Sequence, residues 1–98
     1  MREVVNMIVL ARGDNVGIAT RDIGAGEEAR DAKGWTLTAR EPIPQGHKIA
    51  LGTIDPGADI RRLAVPVGIA TRAIGEGDLV HVHNVKSRYL ENDEDHYE

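Results

Sequence analysis

An all-β domain of about seven short strands is the fold predicted by this 98-residue chain, and three observations carry the prediction. Packing must fall to Val, Ile, Leu and Ala, because Phe is absent and Trp35, Tyr89 and Tyr97 are the only aromatic residues. An Ile-x-x-Gly element recurs at Ile23/Gly26, Ile43/Gly46, Ile54/Gly57 and Ile74/Gly77. Between Gly13 and Gly77 no window stays free of Gly and Pro for long enough to carry an amphipathic helix.

The repeat is the strongest of these signals. Val16-Gly-Ile-Ala-Thr-Arg-Asp-Ile-Gly-Ala-Gly26 returns as Val67-Gly-Ile-Ala-Thr-Arg-Ala-Ile-Gly-Glu-Gly77, with nine of eleven positions identical. The Ile-to-Ile steps of 20, 11 and 20 residues are too uneven for a solenoid, which stacks one unit at a constant period. They suit two related halves folded together by a pseudo-twofold. Each Ile then anchors a strand end in the core, and each Gly supplies the positive φ of a tight reversal. Pro42, Pro44 and Pro56 fix neighbouring φ values and forbid helix there.

The β-prone runs between the turns are Val4–Leu10, Val16–Thr20, Trp35–Ala39, His47–Leu51, Ile60–Val65, Val67–Thr71 and Leu79–Val85. Glu27–Lys33 reads as a polar loop. One domain is expected over residues 1–85, thinly cored at this size. Residues 86–98 read as an acidic tail or linker, because Glu91, Asp93, Glu94, Asp95 and Glu98 crowd a segment with too little apolar content to fold alone.

Composition excludes several function classes. Without cysteine there is no disulfide framework, thiolate metal site or nucleophilic thiol, so any metal must use His and carboxylates. A net charge of −4 argues against a nucleic-acid partner, which needs clustered Lys and Arg. The run after Met1 is too short for a membrane span and lacks a small-residue cleavage site, so a cytoplasmic protein with no membrane partner is expected. Ser87, the only serine, has no nucleophile elbow, and no phosphate-binding Gly-x-x-x-x-Gly-Lys occurs.

Candidate chemistry lies in three places. His81 and His83 stand at i and i+2 on an expected strand, so they would share one face, with Asn84 just beyond. Such a pair can hold a metal or line a polar pocket; spacing alone favours two solvated histidines on an exposed strand face. His47 and Lys48 follow Gly46 where other copies carry Glu27 and Asp78. Lys48 can hold a carboxylate as a point charge and His47 can act as acid or base, although Gly-His-Lys is also an ordinary surface turn. Asp14 and Asn15 open the first repeat, where a plain turn is the default reading.

Taken together, Asp14-Asn-Val-Gly-Ile-Ala, Gly46-His-Lys-Ile-Ala-Leu and Ile74-Gly-Glu-Gly-Asp-Leu-Val-His-Val-His-Asn84 resemble, in order and spacing, the N-terminal domain of the altronate and galactarate dehydratase family. The resemblance runs from about Val4 to Asn84. It implies a SAF-type (antifreeze-like) module with a β-clip fold, working with a much larger subunit or domain on a small sugar acid. Water would leave a 2,3-dihydroxy acid to give a 2-keto-3-deoxy acid, with an iron- or manganese-type divalent metal in the holoenzyme. Sulfolactate sulfo-lyase, of the same two-part design, is an alternative, as is a non-catalytic module that binds carbohydrate or assembles into a homo-oligomer. Carried onto this chain, the resemblance implies His47 and Lys48 as catalytic candidates, Asp14, Asn15 and Asn84 as substrate-binding candidates, and His81 and His83 as metal candidates.

Overall fold

Ile23 and Ile43 exchange backbone N–H···O bonds in both directions, at 2.9 and 2.8 Å, and Ile54 and Ile74 do the same at 2.8 and 2.9 Å. The computed structural model, which describes residues 4–87, is built around these two reciprocal bridges. Each Ile lies four residues after a buried Ala and three before a turn glycine: Ala19, Ala39, Ala50 and Ala70 are as buried as the four isoleucines. The repeating unit is therefore Ala-x-x-x-Ile-x-x-Gly, present four times. The Ala carbonyl of one unit accepts from the turn Gly of its partner: Gly46 N to Ala19 O, Gly26 N to Ala39 O, Gly77 N to Ala50 O and Gly57 N to Ala70 O, all 2.8–2.9 Å.

The pseudo-twofold thus operates twice, within the first and second units and again within the third and fourth. The two most similar copies, Val16–Gly26 and Val67–Gly77, do not pair with each other; each pairs with a more divergent one. All four turn glycines have φ between 85° and 89°, as a reversal with a left-handed third residue requires.

Nine short strands result, and among the described residues there is no helix. They are β1 (Met7–Ile8), β2 (Val16–Ala19), β3 (Glu28–Arg30), β4 (Thr36–Thr38), β5 (Lys48–Ala50), β6 (Asp59–Arg62), β7 (Val65–Ala70), β8 (Leu79–Val80) and β9 (Val85–Lys86). An antiparallel sheet runs in the order β1-β2-β5-β8, with a β3-β4 hairpin and a β6-β7-β9 sheet beside it. The count exceeds the expected seven for two reasons. The supposed loop Glu27–Lys33 contains β3, whose buried Ala29 faces the core while Glu28 is exposed. The expected run Leu79–Val85 breaks into β8 and β9 around a turn at residues 81–84. Lys86, assigned by composition to the tail, is the second residue of β9, and the rest of the expected tail lies outside the described residues.

Two small apolar clusters fill the fold. One joins Met7, Ala19, Ile23, Leu37, Ile43 and Ile49; the other joins Val16, Ala50, Ile54, Ile60, Ala70, Ile74 and Val80. Successive residues of a strand face opposite ways, so Ile49 and Ala50 on β5 enter different clusters, as do Val16 and Ala19 on β2. The β2/β5 pair is a wall shared by both cores.

The β6–β7 hairpin is closed by two residues, Leu63 and Ala64, between the paired Arg62 and Val65. Both have positive φ, 59° and 63°, although neither is Gly or Asn. Left-handed backbone costs an L-residue about 1–2 kcal/mol, and the buried Asp14 carboxylate offsets it. Its Oδ1 accepts from Ala64 N at 2.7 Å, and its Oδ2 accepts from Leu63 N at 2.9 Å and Ala11 N at 3.0 Å.

Two stability predictions follow from this geometry. Replacing Leu63 and Ala64 together by Asn and Gly, the residues a two-residue turn of this hand favours, should stabilise the chain by about 1 kcal/mol in urea unfolding; a loss of stability would contradict the turn assignment. Gly57→Ala, with open space around the new methyl, should cost about 1–2 kcal/mol from φ alone. Gly77→Ala should cost clearly more, because its Cβ would run into the Thr38 carbonyl oxygen and the Arg40 backbone.

Candidate functional site

In two of the four units the residue after the turn glycine has a structural duty, while the third carries Ala58 there. Glu27 and Asp78 turn their carboxylates back to accept from Gly24 N and Gly75 N, the first backbone donors of their own turns. In the second unit that donor position is Pro44, which has no N–H. The residue after Gly46 is released from the duty, and it is His47.

The His47 backbone is held like its counterparts, accepting from Ala19 N at 2.9 Å and donating to Pro44 O at 3.0 Å. Its imidazole packs on that of His81, with ring centroids 4.8 Å apart and planes tilted by 58°. Its Nδ1 is buried with no hydrogen-bond partner. Lys48, next along β5, sits opposite Val80 on β8, so His81 just beyond β8 completes a group of His47, Lys48 and His81 at the outer edge of the four-stranded sheet.

His81 is not on a strand. β8 ends at Val80, and His81–Asn84 form a turn, so the i, i+2 argument that placed His81 and His83 on one face does not hold. The strand is stopped by Asn84, whose buried amide donates from Nδ2 to Leu79 O and accepts at Oδ1 from His81 N, both at 2.9 Å, while its backbone N donates to His81 O at 3.0 Å. Arg72 Nη2 donates to His83 O at 2.9 Å and fixes the far side of the turn. The two histidines therefore part: both are exposed, but His81 meets His47, whereas His83 is close enough only to influence His81 electrostatically.

Asn84 belongs to a set. Asn15 donates to Asp59 O at 2.8 Å and accepts from Arg61 N at 2.7 Å; Asn6 donates to Glu28 O at 3.0 Å and accepts from Arg30 N at 2.7 Å. In every case the acceptor carbonyl is two residues, and the donor N–H four residues, after a turn glycine. Asn15 and Asn84, read as substrate-binding candidates, thus spend both ends of their amides on backbone, and Asp14 spends its carboxylate on the β6–β7 turn. Asn6, which sequence reading passed over, does the same work as these two. The signal was present, since each of the three asparagines immediately precedes the first residue of a strand.

Electrostatics mark out Lys48 and His81. Burial holds the Lys48 amine below the usual 10.5, and the nearby Arg62 guanidinium lowers it further. Burial first, then the neighbouring His47, His83 and Lys48, lowers His81 from its usual 6.5, which favours its neutral, proton-accepting form. Two imidazoles converge but, among the described residues, no three His, Cys, Asp or Glu side chains come together as metal ligands. By themselves these residues do not make a metal centre.

The fold and site together define a small all-β module whose two halves are clipped by turns, with an imidazole pair and a half-buried lysine at one sheet edge. The chain belongs to the altronate/galactarate dehydratase SAF domain family, whose pattern matches residues 5–88. It is 38% identical over 82 residues to an altronate dehydratase of Bacillus subtilis and 34% identical over 85 residues to that of Escherichia coli. These matches cover 84% and 87% of this chain but only 16% and 17% of those proteins, so the chain spans about a sixth of their length. It is also 26% identical over 92 residues to the (2R)-sulfolactate sulfo-lyase subunit alpha of Chromohalobacter salexigens, a match that covers 86% of this chain and 96% of that subunit.

Burying the Lys48 cation costs stability, which yields a prediction with a definite sign. Below its lowered folded-state value the penalty is complete; between that value and 10.5 the unfolded chain holds a proton the folded chain has lost, so stability rises with pH. Lys48→Met should raise Tm at neutral pH, and its advantage over the wild-type chain should shrink as pH approaches 10.5. A lower Tm for the variant would show that the amine is stabilising.

Proposed function

We propose that this chain is the small component of a lyase that acts on a hydroxy acid and carries out its chemistry together with a larger component. The observation that carries the reading is the pair of matches: one family across almost the whole chain, and one relative that is itself a separate subunit of nearly the same extent. A sugar-acid dehydratase of the altronate or galactarate type is the first reading, supported by the higher identities. A sulfolactate sulfo-lyase small subunit is the second, supported by the end-to-end match.

Both reactions need the same first act. A base removes the proton from C2, beside the carboxylate, and the electron pair forms the C2–C3 double bond as the C3 substituent departs, as water after protonation or as sulfite. The resulting enol at C2 then becomes the 2-keto acid. The weak acidity of that C–H is the obstacle, so a cation on the carboxylate and a well-placed neutral base are what this chain can contribute. Lys48 is proposed for the first role. His81, whose neutral form is favoured and which packs against His47, is proposed for the second, with His47 Nδ1 as a second site for the proton. The divalent ion of the complete enzyme, of the iron or manganese type, is assigned to the larger component, which would also make most of the substrate contacts. The contact between His47 and His81 favours this reading over a binding module with scattered histidines.

The test is reconstitution. The chain is combined with a candidate larger component from the same organism, and the mixture is assayed for dehydration of altronate and galactarate and for sulfite release from sulfolactate. Activity that needs both parts is expected, with His81→Gln and His47→Gln each lowering kcat about 10²-fold or more. No turnover of any of the three acids, or full turnover with both histidines replaced, would overturn the proposal.

A further inference from the structure

A cleft of about 270 Å³ opens between β5, β8 and the β6-β7-β9 sheet. Lys48, His81 and Lys86 line it, set against the apolar side chains of Val67, Val80 and Val85. Among the described residues no Asp or Glu lines it, although the chain as a whole is acidic. Among the described residues, neither Lys48 nor the nearby Arg62 has a carboxylate partner. Desolvating one cation beside another is unfavourable unless an anion completes the arrangement. The floor is rigid, because Lys48 is in a β5–β8 register pair and both backbone polar groups of His81 are tied to Asn84.

We infer that this cleft, in the chain on its own, takes the 2-hydroxycarboxylate end of a small acid, and that the group leaving from C3 is recognised elsewhere. The inference rests on the lyase reading for the kind of acid but not for the existence of the site. Altronate, galactarate and (2R)-sulfolactate, named in the relatives, all carry a carboxylate next to a hydroxylated carbon that bears hydrogen, and they differ beyond it. One SAF module can serve all of them if it holds only the shared end. Lys48 supplies the charge for the carboxylate, His81 faces the C2 side, and the valines exclude water from the contact. The choice between a hydroxyl and a sulfonate as leaving group then falls to the larger component.

The probe is (S)-lactate, which has the C2 hand of (2R)-sulfolactate, the descriptor changing because the sulfonate-bearing carbon outranks the carboxylate, and which has no leaving group at C3. It is titrated into the isotopically labelled 98-residue chain at low ionic strength, with the backbone amides followed by NMR. Saturable shifts are expected at Lys48, Val80, His81 and Lys86, with none from propane-1,2-diol, the neutral counterpart. Lys48→Met should weaken binding about tenfold, the loss of one charge-assisted contact. Lys86→Gln should weaken it by a smaller factor, and Lys33→Met, far along the chain at the β3–β4 turn, should leave it unchanged. Methanesulfonate serves as the arm for a sulfonate-only site. Saturable binding of methanesulfonate without lactate, shifts from lactate that persist in both Lys48→Met and Lys86→Gln, or equal sensitivity to Lys33→Met would each overturn the inference. Because no partner is present, lactate binding and reconstituted turnover fail separately: turnover without lactate binding removes this site, and lactate binding without turnover removes the lyase reading.

Discussion

The reciprocal hydrogen bonds between Ile23 and Ile43 and between Ile54 and Ile74 are the constraint on which the molecule depends. A chain of this length without Phe has little apolar volume, and folding must offset about 1–2 kcal/mol of backbone entropy per residue. The isoleucine bridges place the best-buried side chains at points where two backbone segments are already joined. One glycine turn per unit then returns the chain at low steric cost. The sheets are short because the bridges, not long ladders, carry the register.

That arrangement was legible in part. The Ile-x-x-Gly spacing located the four turns and the four core isoleucines, because a side chain that must be buried and a backbone that must have positive φ both leave a residue-type mark. The alanine four residues before each Ile leaves a fainter one. Ala39 and Ala50 are fully buried, yet alanine is common enough that its recurrence was overlooked. Which copies pair was not legible either. Sequence identity links the first and fourth units, whereas the bridges join units across the two longer links, which hold the β3–β4 and β6–β7 hairpins, and not across the short link from Gly46 to Ala50. β3 was missed because Glu28, Arg30 and Asp31 look like loop residues, and its single core contact comes from the small Ala29.

For the candidate site, His47, Lys48 and His81 were found by asking where the repeat breaks its own pattern, and the structure brings them together at one sheet edge. His83 does not join them, because strand periodicity was applied across an asparagine that ends the strand. The polar residues carried as substrate-binding candidates, Asp14, Asn15 and Asn84, bond to backbone. Buried polar side chains in a small β protein are most often held by main-chain groups that have no sheet partner, and a single sequence does not show which groups those are.

Pro44 carries an implication about how such a site can arise. With no N–H at residue 44, a carboxylate at residue 47 would have no donor of its own turn to hold, so the side chain there is set by what lies outside the turn. The third unit shows the same tolerance in another way: Asp55 keeps its N–H, Ala58 offers no acceptor, and the turn still closes through Ala58 N to Asp55 O and Gly57 N to Ala70 O. The backbone bonds hold each reversal, and the position after the glycine is where one repeat can differ from another without loss of the turn.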